Sequence, residues 1–82
     1  MTATKTLTYR IFQEPTGFFF CDDSLPHLDA RGTCYADEAT ATTMAIEIGR
    51  QKQQYEGVEF IGVTGSGVCA ETAAALGCDV IK

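Results

Sequence analysis

The apolar period of this chain changes sharply along its length. Residues 6 to 35 carry strand patterns broken by turns, residues 37 to 57 carry a capped helical pattern, and residues 58 to 64 return to a strand. One long helix among short strands predicts a small α+β fold of β-β-β-α-β order, a mainly antiparallel sheet with the helix packed on one face and a short C-terminal helix added. At 82 residues the chain reads as one domain, 1–82. A domain of this size buries about 60 to 65% of its unfolded surface, so a homodimer is expected to widen its stability margin.

Thr6 to Gln13 sets Leu7, Tyr9 and Ile11 against Thr8, Arg10 and Phe12, the alternation of a strand with one well-buried face. Glu14-Pro15-Thr16-Gly17 then turns the chain, with proline at the first central position and glycine at the last, so Phe18 to Cys21 returns as the second arm of a hairpin. Three consecutive phenylalanines, Phe18, Phe19 and Phe20, must send rings to both faces. This predicts a central strand with one face under the helix and the other against a partner or the C-terminal segment. Asp22 to Asp29 is a polar loop around Leu25-Pro26, and Leu28 to Tyr35 is a weaker third strand broken by Gly32.

From Asp37 the stripe Ala41, Met44, Ala45, Ile48 and Tyr55 is expected to face the sheet, with Thr40, Thr43, Glu47 and Arg50 turned away. Asp37 is placed to cap the helix, Glu38 adds negative charge to its first turn, Arg50 and Lys52 add positive charge near its end, and Gly57 stops it. Val58 to Thr64 is a strand with Phe60 and Ile61 on opposite faces. A glycine turn at Gly65, a short helix over Val68 to Leu76, and an edge-strand segment Cys78 to Lys82 complete the chain.

Eleven acidic against six basic residues give a net charge of −5. That balance disfavours phosphate backbones and anionic membrane surfaces and favours a basic protein partner. No apolar run approaches the roughly 18 residues needed to cross a bilayer. Met1 to Lys5 has no apolar stretch behind its lysine, so no secretory signal is expected and the cytoplasm is the default compartment. The four cysteines are then expected as thiols, although the pairings Cys21/Cys34 and Cys69/Cys78 stay open until the compartment is known.

Gly65-Ser66-Gly67-Val68-Cys69-Ala70 follows a strand, opens a helix and fits the dinucleotide pattern G-x-G-x-x-[G/A]. Its chemistry would be phosphate held by backbone N–H groups. A dinucleotide fold also needs more parallel strands and an acidic residue about 20 positions on, and Lys82 comes first; no cofactor is therefore expected, and the glycines read as a tight strand-to-helix turn. Cys69 falls in the first turn of that helix, where the dipole favours thiolate, making it the candidate reactive thiol. Cys21, Cys34, Cys69, Cys78 and His27 lack the paired spacings of a zinc site. His27 lies near Asp22, Asp23 and Asp29 but reads as a solvated loop histidine, and Ser24 and Ser66 have no nucleophile-elbow frame. No catalytic constellation emerges, and the chain is expected not to be an enzyme.

Tyr9-Arg10-Ile11, Thr16-Gly17-Phe18, Ser24-Leu25-Pro26, Gly32 and Asp37-Glu38-Ala39 form an ordered series over residues 9 to 49. In this series the chain resembles the partial RNase H-like domain of HicB-type antitoxins. His27 stands where that family usually has glycine, and no ribbon-helix-helix or helix-turn-helix segment follows, so no operator binding is expected. The resemblance implies a fold of three strands, a helix and a fourth strand, self-association, and neutralisation of a small basic ribonuclease toxin.

The functional expectation is a small acidic protein-binding module, antitoxin-like, with Phe19, Leu25, Pro26 and His27 as the residues that would meet a partner. Two alternatives remain open. One is a small-molecule or redox role at the Gly65 to Cys69 turn, including anion binding by Gly65-Ser66-Gly67. The other is a phage-type inhibitor protein.

Overall fold

The computed structural model describes residues 5–22 and 34–81. These fold as β1 (Thr6–Glu14), β2 (Gly17–Asp22), α1 (Glu38–Glu56), β3 (Glu59–Thr64) and α2 (Ala70–Ala75), a small α+β fold. The Leu25-Pro26-His27 loop and all but the end of the strand expected over 28–35 lie outside the described residues.

The sheet is mixed, in the order β2-β1-β3: β1 runs antiparallel to β2 and parallel to β3. Pro15 and Thr16 close the hairpin, and the register Glu14↔Gly17 fixes every later pair, including Phe12↔Phe19 and Ile11↔Phe20. Among the described strands the middle one is β1, and β2, the phenylalanine strand, flanks it. Leu7, Tyr9 and Ile11 are all buried, so β1 is covered on one face from Leu7 to Ile11 while both its edges are paired. At the outer edge of β2, the Tyr35 N–H donates to Phe18 O and the Phe18 N–H to Tyr35 O, both at 2.8 Å.

A regular strand sends residues 60 and 63 to opposite faces, yet Phe60 and Val63 both pack on the core under α1. A bulge resolves the conflict: Leu7 pairs with Phe60 and the next residue, Thr8, pairs with Gly62. The extra residue, Ile61, is left 40% exposed.

The ends of α1 follow their sequence signals. The Thr40 N–H donates to Asp37 Oδ1 at 2.8 Å, and Gly57 takes the left-handed conformation, φ 74°, that ends the helix. The face it buries matches the expected stripe only in part, at Ala41, Ala45 and the core-packed Ile48. Ala41, Thr42, Ala45, Ile46 and Gly49 are buried, whereas Met44 and Ile48 are half-buried and Tyr55 is 78% exposed. At 100° per residue the helix is turned by about 90° from the hydrophobic reading.

The physical reason is distance. A β-carbon at Gly49 would stand 2.5 Å from the Phe60 ring, so only a stripe of small residues lets the helix axis come down onto β3. Ala41, Ala45 and Gly49 are that stripe, four residues apart. Thr42 tolerates full burial because its Oγ1 accepts a hydrogen bond from the Cys69 N–H at 3.0 Å.

After α2 the chain runs beside β3. Val63 bridges Val80 in parallel, with the Val63 N–H donating to Asp79 O and the Ile81 N–H to Val63 O. The expected closing edge segment is thus present as a single bridge, lying alongside the sheet.

Gly49→Ala should destabilise the protein by roughly 1–3 kcal/mol through overpacking against Phe60, although alanine in a helix interior is ordinarily better than glycine by about 1 kcal/mol. Urea denaturation measures it, and the double variant Gly49→Ala, Phe60→Leu should recover most of the loss. Stabilisation by the single variant would contradict the close approach.

The Thr40 hydrogen bonds hold the Asp37 carboxyl below the ordinary carboxylate value. A depressed pKa contributes stability that is complete above the unfolded value, about 3.9, and is lost as pH falls through the folded one. Helical circular dichroism should therefore show an acid-side loss that Asp37→Asn, which cannot titrate, reduces. An identical acid profile in the variant would remove Asp37 as its source.

Candidate functional site

The glycine turn between β3 and α2 is pressed against the middle of the sheet. Gly65 has φ 106°, and a β-carbon there would collide with Ile11 O. The Gly67 N–H donates to that same carbonyl at 2.9 Å. Two residues later the Cys69 N–H donates to Thr42 Oγ1. Two amides of this turn, those of Gly67 and Cys69, are therefore bonded within the protein, one to β1 and one to α1. Leaving the Cys69 N–H without its acceptor costs roughly 1–3 kcal/mol, so anion binding at this turn competes with the contacts that hold α2 in place.

Cys69 is the N-cap residue of α2, its own side chain making no cap bond. Its half-buried Sγ accepts a hydrogen bond from the Thr72 hydroxyl at 3.2 Å. The other cysteines also carry thiols: Cys21 is buried, Cys34 is exposed with its thiol donating to Thr16 O at 3.1 Å, and Cys78 is half-buried. Neither pairing left open by the sequence, Cys21/Cys34 or Cys69/Cys78, is formed. Among the described residues no three His, Cys, Asp or Glu side chains converge to hold a metal, and no helix is long and apolar enough to cross a membrane.

The three phenylalanines divide as the alternation requires. Phe18 and Phe20 pack on the core beneath α1, with the Phe20 ring edge-on to Tyr9 at 5.2 Å and stacked on Tyr35 at 5.9 Å. Phe19 goes to the opposite face, where it stacks on Phe12 at 5.8 Å with an interplanar angle of 19°. Of the residues expected to meet a partner, Phe19 is thus placed on the sheet face away from the helix; Leu25, Pro26 and His27 lie outside the described residues. Phe12 belongs beside it. The four-residue turn already implied that pairing, since Glu14↔Gly17 dictates Phe12↔Phe19.

Two side chains of α1 take roles that the sequence did not assign. Lys52 brings its ammonium to the buried Tyr9 hydroxyl, partly offsetting the rise in tyrosine pKa that burial causes. Arg50 does not serve the end of its own helix. Its guanidinium reaches across to donate to Leu76 O, the C-terminal carbonyl of α2. Neither role has a sequence signal, because each joins residues more than 20 positions apart.

Compared with known protein families, curated proteins and solved structures, the chain matches none.

Alkylation with iodoacetamide, followed residue by residue in a mass spectrometer, should modify Cys34 first and Cys21 last, with Cys69 and Cys78 between and roughly an order of magnitude slower than Cys34. Cys69 reacting as fast as Cys34 would instead mark it as an activated thiol.

Proposed function

We propose that this chain is a cytoplasmic, antitoxin-like protein-binding module that neutralises a basic partner such as a ribonuclease toxin. The observation that carries the reading is the Phe12–Phe19 stack on the sheet face opposite α1. Rigid aromatic side chains give large contact area at low entropic cost and are enriched at the energetic centres of interfaces.

Charge supports the same reading. The net charge is −5, and Glu38, Glu47, Glu56 and Glu59 are exposed along α1 and the start of β3. Such a surface steers a basic partner and slows association with nucleic acid. The resemblance of residues 9 to 49 to HicB-type antitoxins adds the class of partner, a small basic ribonuclease, and brings self-association into the proposal.

The test is inhibition. Equimolar chain added to small basic ribonuclease toxins should suppress cleavage of a fluorogenic RNA by at least one of them and co-elute with it. Phe19→Asp, with an unchanged far-ultraviolet spectrum, should weaken that inhibition by roughly 10- to 30-fold, the loss expected of an aromatic anchor. Cleavage unaffected across the panel, with no complex formed, rejects the proposal.

A further inference from the structure

A cleft of about 180 Å³ lies between the second half of α1, the beginning of β3 and the segment after α2, with Arg50, Gln53, Phe60, Cys78 and Asp79 in its lining. It is remote in sequence from the Phe12–Phe19 face, and nothing in the antitoxin-like reading uses it.

Its polar groups are half spent. A guanidinium carries five N–H donors, and among the described residues the one side-chain hydrogen bond Arg50 makes is to Leu76 O. Gln53 accepts the Phe60 backbone N–H through Oε1 at 2.9 Å. Because the partner there is a donor, the amide orientation is fixed, and its NH₂ is the end left for a ligand. Asp79 is exposed, and its main chain is anchored by the hydrogen bond from the Val63 N–H to its carbonyl. Burial pushes the Cys78 thiol pKa up. The thiol therefore stays neutral near pH 7 and places no anion beside Arg50.

Donors from Arg50 and Gln53 on the same cleft suit a carboxylate, which an arginine fork can bind through two oxygens. Asp79 on the same cleft suits an ammonium group, and the Phe60 ring supplies an apolar wall. The volume is below the roughly 300 Å³ at which pockets for drug-sized ligands begin, which suits a molecule of amino-acid size. We propose that this cleft binds a small zwitterion of the free α-amino acid class, its carboxylate on Arg50 and Gln53 and its ammonium on Asp79.

The experiment is a nuclear magnetic resonance titration of the full chain with L-alanine, propionate and propylamine. The resonances followed are the Gln53 side-chain NH₂, the Arg50 Nε–H and the Cys78 and Asp79 amides. Each probe is taken to about 20 mM, well above the dissociation constant, on the order of 1 mM, expected of so small a ligand. L-Alanine should give saturable shifts at these positions, propionate at least threefold weaker binding, and propylamine none. Arg50→Gln should abolish the response. Because Arg50 also holds the end of α2, Asp79→Asn serves as the second variant: it should erase the preference for L-alanine over propionate without altering the thermal melt. Absence of a saturable response to L-alanine, or an equal response to propionate in the unaltered chain, overturns the assignment.

Discussion

The seating of α1 on the sheet through Ala41, Ala45 and Gly49 is the contact on which the rest of the structure depends. A helix this close can cover β1 and β3 together, so Leu7, Tyr9, Ile11 and Val63 are buried beneath it, with the glycine turn and the segment after α2 closing the core at Ile11 and Val63. The same approach brings Thr42 to the amide of Cys69 and Arg50 to the end of α2. A bulkier stripe would lift the axis away, and both cross-links would lengthen together, because they hang from one rigid helix.

Much of this was legible in the residues themselves. Alternation at Leu7, Tyr9 and Ile11, the Glu14-Pro15-Thr16-Gly17 turn, the Asp37 cap and the Gly57 stop each act within a few residues and were readable as local rules. Ala41 and Ala45 were read correctly as the inner face, but Thr42, Ile46 and Gly49 were missed there and Tyr55 was wrongly included. Hydrophobicity rewards Met44 and Tyr55 for their size, but the seat demands small side chains, and a threonine, a mostly exposed residue type, does not announce itself as core. Centrality of β1 was equally hidden. Phe18 to Phe20 is the more apolar strand, yet which strand lies in the middle is decided by the parallel partner that α1 delivers, and that pairing spans some fifty residues.

The glycine turn illustrates how a motif can match in spacing and still differ in what its atoms do. Gly65 is required, but by the passage of Ile11 beneath it, and the Gly67 and Cys69 amides already have acceptors in β1 and α1. The outer sheet face was more readable. Once the turn length fixes the register, Phe12 and Phe19 must stack, and the proposed partner surface follows from four residues of hairpin.

The bridge between Val63 and the last described residues has a further consequence for solubility. Exposed strand margins invite pairing between molecules, and on this side of the sheet both backbone groups of Val63 are occupied by Asp79 and Ile81, next to the protruding Ile61. Those terminal residues therefore act as a selvedge. Trimmed by a protease, the chain would keep its helix and hairpin but present a raw, apolar border from which sheets could grow from one molecule to the next.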